Sequence, residues 1–190
     1  MRARISLFCL ISVAIVCMSC AGSSKYMKPS ETMLSPTSDK AVVRFMRPSA
    51  LGNAINFNIW DGEKVIGNSV AKGQFDYLAD PGMHLFVAVA ENKTFLDAEL
   101  EAGKIYYILT QVKMGMWKAR VGLVPVNKGS EYWDKVSEYE KELNKFQPDA
   151  ELLKAWEDSN KDKIKSVLSE YETKLKTEEQ WPRLSITDGR

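Results

Sequence analysis

The chain has 190 residues, enough for one ordinary domain or one with an appendage, and its 26 Lys plus Arg nearly cancel its 25 Asp plus Glu. A formal net charge of +1 supplies no overall field toward nucleic acid, and the 45% hydrophobic and 27% charged content excludes the low-hydrophobicity signature of disorder. All three cysteines, Cys9, Cys17 and Cys20, fall at the start, which excludes disulfides and a Cys-based metal site from the rest of the chain.

Arg2 and Arg4 make a basic start, residues 5–16 are an uncharged apolar run, and small and polar residues follow. That is the order of an export signal peptide, here assigned to residues 1–19. The apolar run is shorter than the roughly 20 residues that a permanent transmembrane helix needs.

The segment Ser19-Cys20-Ala21-Gly22 resembles a bacterial lipobox, although Cys17 stands where Leu is usual and Met18 is atypical. The resemblance implies cleavage before Cys20 and lipid on that cysteine, and two or more acyl chains suffice for stable anchoring. Ala21 after the cysteine resembles the sorting pattern for the periplasmic face of the outer membrane. Ordinary secretion with cleavage near Ala21 is the alternative. Residues 22–40 are rich in Ser, Thr, Pro and Met without apolar periodicity, so residues 20–40 read as the lipidated cysteine and a flexible linker with a reach of roughly 25 Å.

From residue 41 to 126 the dominant period is two, with turn signals every eight to twelve residues or so, which predicts a small antiparallel β-sandwich of roughly seven or eight strands. Residues 41–47 run into Pro48. Ile55, Phe57 and Ile59 alternate before Asp61-Gly62, a strong hairpin signal, and residues 64–70 should fold back. Pro81-Gly82 predicts a type II reversal between residues 73–79 and 83–90. Residues 94–101 and 104–112 are joined through Ala102-Gly103, and a last strand ends at Val126 with Val121 and Leu123 on one face.

After Asn127-Lys128-Gly129 the period changes. Tyr132, Val136, Tyr139, Leu143 and Phe146 recur at steps of four and three, predicting one helix that Ser130 caps. Beyond Pro148, a second apolar face (Leu152, Leu153, Trp156) and a third (Ile164, Val167, Leu168, Tyr171, Leu175) predict a C-terminal helical hairpin within residues 130–181, with Ser159 and Asp162 as a capping box. Its stripe requires burial against the β domain, against itself or against a partner.

Four stretches, Val42-Val43-Arg44-Phe45-Met46-Arg47-Pro48, Asp61-Gly62-Glu63-Lys64-Val65-Ile66-Gly67, Pro81-Gly82-Met83-His84 and Glu101-Ala102-Gly103-Lys104-Ile105-Tyr106-Tyr107, taken in order resemble the domain of unknown function 2846 family of bacterial lipoproteins. The resemblance covers somewhat under half the chain. It implies a β-sandwich behind a lipidated N-terminus and supplies no catalytic residues.

His84 is the only histidine, so a His-based site must recruit carboxylates such as Asp76, Asp80, Asp97 or Glu99, and a turn-stabilising role needs none of them. No phosphate loop, His-Glu-x-x-His run or Gly-x-Ser-x-Gly elbow occurs, and Asn92-Lys93-Thr94 matches a sequon only formally. Met114, Met116, Trp117 and Lys118 form an apolar loop with basic flanks, suited to gripping a partner or a lipid surface. The expectation is a non-enzymatic envelope lipoprotein, without cofactor or metal, that binds another envelope protein or cell-wall glycan or acts as a structural accessory. An envelope hydrolase near His84 and a lipid-binding module on the Met-Trp loop are the alternatives.

Overall fold

A computed structural model of the chain describes residues 23–114, 119–178 and 180–190. The signal segment and Cys20 lie outside them. So do Met116, Trp117, Lys118 and the side chain of Met114.

Among the described residues eleven strands form two sheets. They are β1 (Met27–Pro29), β2 (Ala41–Arg47), β3 (Phe57–Asp61), β4 (Lys64–Ser69), β5 (Gly73–Ala79), β6 (Gly82–Val89), β7 (Lys93–Leu100), β8 (Ile105–Met114), β9 (Ala119–Pro125), β10 (Asn144–Pro148) and β11 (Arg183–Leu184). One sheet has the order β1-β10-β5-β2-β8-β9, the other β11-β7-β6-β3-β4.

The Asp61-Gly62 hairpin forms as expected, with Asp61 opposite Lys64 and Gly62 at φ +54. The all-antiparallel expectation fails. β2 pairs with β8 in parallel, as do β10 with β5 and β11 with β7. The cause lies in two turns that do not close hairpins. The Pro81-Gly82 reversal, with Gly82 at φ +122, and the Ala102-Gly103 turn each carry the chain from one sheet to the other. Chain neighbours therefore do not pair there, and β2 meets a partner that returns from the opposite sheet.

The two sheets share one interior. Val43, Phe45, Phe75, Ile108, Val121 and Leu123 from the six-stranded sheet pack in one cluster with Ile59, Ile66, Phe86, Leu96 and Leu100 from the other. Phe45 stacks on Phe75 at 5.1 Å and meets Phe86 edge-on at 5.4 Å, so a single ring ties the sheets together.

Both outer faces are also covered, which is why all seven residues of β2 are buried rather than alternating. On the six-stranded sheet, Met46, Tyr107 and Leu109 lie under Val126, Val136 and Leu143. On the other, Trp60, Val65, Val87 and Phe95 lie under Leu153, Ile164, Val167 and Tyr171. The apolar stripe near the C-terminus is thus spent on the chain's own sheet. It belongs to α2 (Ala150–Ser159), α3 (Lys161–Glu170) and a π-helical turn (Tyr171–Leu175) continued by one short turn, α4 (Lys176–Glu178). Asp149 caps α2, accepting from the Leu152 amide at 3.3 Å; the Ser159–Asp162 capping box does not form, because the Ser159 hydroxyl donates to the Ala155 carbonyl instead.

The helix predicted through Tyr132 and Phe146 is mostly absent. Only α1 (Val136–Glu142) is helical, Ser130 precedes it without capping it, and Asn144–Pro148 is strand β10. Phe146 supplies the reason. Its ring occupies the space over Gly73, where an added Cβ would lie 2.8 Å from Cε2, and a strand beside β5 is what puts the ring there.

The segment that composition marks as a flexible linker is ordered from Ser23 onward. β1 pairs with β10, Met27 is buried, the Ser30 amide donates to the Lys145 carbonyl at 2.9 Å and the Asp149 amide to that of Tyr26 at 2.8 Å. Short polar residues carry no apolar period, so pairing decided by distant partners leaves no local trace.

The last residues close the other end. Arg190 exchanges backbone hydrogen bonds with Ile105 at 2.9 and 3.0 Å. The buried Asp188 carboxylate accepts from the Lys128 and Ser185 amides and from the Asn127 and Ser185 side chains. No described helix is long and apolar enough to cross a membrane.

Candidate functional site

Two hollows lie where α2 and α3 meet the β3–β4 hairpin. β4 is an edge strand of its sheet, so its outward amides need partners. The Val65 amide finds one in the Glu157 carboxylate of α2 at 2.9 Å, and this bond seats the helix against the strand. Lys28 holds Asp149 at 2.7 Å, fixing the start of the same helix.

Two adjoining spaces result. One of about 420 Å³ is lined by Lys64, Tyr77, Pro148, Leu153, Lys154 and Glu157 among others. The other, of about 400 Å³, adds Glu63, Lys161, Ile164 and Lys165 and shares Lys64 and Glu157 with the first. The floor is apolar, through Val65, Leu153 and Ile164, and the rim carries Lys64, Lys154, Lys161 and Lys165 against Glu63 and Glu157. Asp158 alongside pairs with Lys154 and, at 2.9 Å, with Lys161, which leaves Lys64 and Lys165 as the rim cations without a carboxylate partner among the described residues.

Burial works against the charge of Glu157, but Lys154 and the Val65 amide outweigh it and hold its carboxyl below the ordinary glutamate value. Lys154 lies 2.6 Å from Glu157 and 3.2 Å from Asp158, whereas Lys64 stands 5.1 Å above the Tyr77 ring. An elongated ligand with an apolar surface and anionic groups matches this lining.

Tyr77 connects the groove to His84. The Tyr77 hydroxyl donates to Asp61 Oδ2 at 2.9 Å, and the same oxygen lies 2.8 Å from His84 Nδ1. His84 Nε2 lies 2.8 Å from the Asp80 carbonyl, and the ring stacks on Phe86. Both ring nitrogens face oxygen acceptors, so the imidazolium satisfies both contacts. Asp61 accordingly raises the His84 pKa above its ordinary value, against the opposing effect of burial. Burial and Asp61 push the Tyr77 hydroxyl up as well. Chemically this is a clamp that ties β3, β5 and β6 to the turn at Asp80, and a ring so engaged has no free lone pair for proton abstraction.

The carboxylates grouped in the sequence with His84 do not converge on it. Asp80 is exposed and pairs with Lys40 at 2.5 Å. Asp76 lies on the outer face of the six-stranded sheet, gripped by Arg44 at 2.7 and 2.9 Å. Asp97, in the other sheet, accepts from the Tyr171 hydroxyl at 3.1 Å, and Glu99 stands opposite Met83 on β7. Asp61, the residue that does hold His84, stands in the sequence as half of a hairpin signal and within a family-like stretch, with nothing local to pair it with His84. The groove lysines were missed altogether, because Lys64 and Lys165 become neighbours only when α3 lies over the β3–β4 hairpin.

The Met-Trp loop joins β8 to β9, whose described residues pair from Met114 opposite Ala119 to Ile108 opposite Pro125. Among the described residues no three His, Cys, Asp or Glu side chains converge as metal ligands. Comparison with family models, curated proteins and solved structures gives no match to this chain.

Proposed function

We propose that the protein is an envelope lipoprotein, tethered through Cys20 to the periplasmic face of the outer membrane, that works as a binding or structural accessory module rather than as an enzyme. The observation that carries this reading is the groove between β4, α2 and α3, with its apolar floor and its excess of lysine on the rim. Its occupant is another envelope protein or a cell-wall glycan bearing anionic groups. The resemblance of residues 42–126 to the domain of unknown function 2846 family, read from the sequence, supports the same assignment. So does the shared interior of the two sheets, which we take as a sandwich extended by β1, β10 and β11.

The hydrolase alternative has less support, since His84 is committed on both nitrogens and its partner carboxylate already accepts from Tyr77. A lipid-binding role for Met114, Met116, Trp117 and Lys118 remains open to a direct test. Unlipidated protein that binds anionic vesicles, and loses that binding in Trp117→Ala, would support it.

The test of the main reading is crosslinking of the lipidated protein in its native envelope, followed by mass spectrometry. Adducts on Lys64, Lys161 or Lys165 that disappear in a folded Lys64→Glu, Lys165→Glu double variant are expected. Adducts elsewhere, unaffected by the double variant, would overturn the groove as the binding site. Mass measurement of the N-terminal peptide and fractionation of Cys20→Ser check the anchor separately.

A further inference from the structure

We infer that the domain rests directly on the membrane surface that holds its anchor, with loop 48–56 as the contact. This deepens the tethered-lipoprotein reading and depends on Cys20 carrying lipid. Ser23 is bound to the body, its carbonyl accepting from Asn56 Nδ2 at 2.6 Å. Only Ala21 and Gly22 lie between it and Cys20, so three Cα–Cα steps span at most about 11 Å when fully extended. Headgroup regions are themselves roughly 5–7 Å deep on each side of the hydrocarbon, so loop 48–56 is held at the interface and not at the end of a long spacer.

The loop is built for that place. Ser49-Ala50-Leu51-Gly52-Asn53-Ala54 carries no charged side chain, and Leu51 is 51% exposed. Three of its backbone carbonyls are turned inward. Arg47, itself 1% exposed, donates to the carbonyls of Leu51 at 2.9 Å, Gly52 at 2.7 Å and Ile55 at 2.7 Å. Burial lowers the pKa of this guanidinium. A loop entering a poorly hydrated interface loses the water that would otherwise satisfy its acceptors, and here a buried arginine replaces that water from the inside. Gly52, at φ +64, completes the turn against Val112, so the loop is fixed in shape before any contact is made.

Charges of both signs flank the uncharged loop, and three of the cations lie on the side of the tether and the β8–β9 edge. Lys25 is exposed two residues after Ser23, and Lys113 and Arg120 face each other, both exposed, next to Val112, against which Gly52 rests, and its partner Val121. Acidic residues border the loop as well: Glu91 precedes Asn92, whose side chain meets Val121, and Tyr139, which with Tyr132 lines the hollow beside Pro48 and Ser49, lies in the field of Glu131, Glu138 and Glu142. One leucine and three cations cannot hold a protein on a bilayer alone, but beside a lipid tether the contact becomes intramolecular and orients the domain.

Because no cysteine follows Cys20, a single introduced thiol can be labelled in the mature lipidated chain. Nitroxides at Leu51→Cys and Met83→Cys would be compared in vesicles of phosphatidylethanolamine and phosphatidylglycerol; Met83 is 61% exposed and lies at the other end of β6. The Leu51 label is expected to be several-fold less accessible to a water-soluble nickel complex, and more accessible to oxygen, than the Met83 label. Equal aqueous accessibility at both sites, with mass spectrometry showing lipid on Cys20, would overturn the orientation and leave the anchor intact. Absence of lipid on Cys20 would overturn the anchor reading and this inference with it. Unchanged urea midpoints for the two variants confirm that the comparison is made on folded protein.

Discussion

The side-chain amide of Asn92 meets both backbone groups of Val121, donating to its carbonyl at 2.8 Å and accepting from its N–H at 2.8 Å. Val121 lies on β9, the outer strand of the six-stranded sheet, and Asn92 lies in the β6–β7 turn of the other. One side chain thus stands in for a neighbouring strand and closes an edge that would otherwise be open to pairing. Asn92→Ala should lower stability by about 1–3 kcal/mol, the cost of leaving two half-buried backbone groups unpaired. Asn92→Asp should fare no better, since a carboxylate accepts from the amide but repels the carbonyl. Urea denaturation of the two variants measures both, and an unchanged midpoint in Asn92→Ala would remove the edge-closing role.

The Arg44–Asp76 pair joins four parts of the chain. Arg44 on β2 grips Asp76 on β5 and also pairs with Glu140 of α1, which accepts from the Tyr107 hydroxyl at 3.0 Å. Asp76 in turn accepts from the Leu34 amide at 2.7 Å, which holds the N-terminal segment against the sheet. The two side chains are 8% and 3% exposed, so loss of Asp76 leaves a buried guanidinium with Glu140 as its remaining carboxylate, and loss of Arg44 leaves Asp76 buried without a cation. Asp76→Leu and Arg44→Leu should each cost about 3 kcal/mol or more, whereas the double change Arg44→Leu, Asp76→Leu should cost less than the sum of the two. A double-mutant cycle by chemical denaturation reads the difference. Additive losses would mean that the pair contributes no coupling.

These two contacts mark where the sequence was informative and where it was silent. The Asp61-Gly62 hairpin, the common face of Val121 and Leu123 and the stripe of Ile164, Val167 and Tyr171 were all legible, because each depends on spacing within one element. β10 was not, because Leu143 and Phe146 also fit a helical period and only the space over Gly73 makes Phe146 a strand residue. The parallel β2–β8 pairing and the Leu34–Asp76 bond join residues far apart in the chain, and no local pattern encodes them. The groove shares this origin, since its rim is assembled from β4, α2 and α3.

The His84–Asp61 contact makes stability depend on pH in a defined direction. Asp61 raises the folded-state pKa of His84 above its ordinary 6.5, so folding favours the protonated ring. The contribution is fully present below about pH 6.5 and is lost as the pH rises through the raised folded value. Urea midpoints should therefore fall between about pH 6 and about pH 9. In Asp61→Asn that slope should flatten, since the neutral amide no longer favours imidazolium. A slope that persists unchanged in the variant would assign it to other groups.

Gly67 and Gly122 make opposite predictions from the same substitution. Gly67 lies on β4 facing the interior, and an added Cβ would fall 2.3 Å from Cε2 of Phe75, the ring that stacks on Phe45. That contact has no flexible chain end to yield, because Phe75 is 3% exposed within the shared core. Gly67→Ala should therefore cost about 1–3 kcal/mol through forced displacement of the ring. Gly122, on β9, has no atom within 4 Å of its would-be Cβ and no left-handed φ. Gly122→Ala should be neutral or raise stability by up to about 1 kcal/mol, through the smaller backbone entropy of the unfolded chain. Thermal melts of the pair under one condition test both, and a harmless Gly67→Ala would show that β4 and β5 do not approach as closely as the Phe75 ring requires.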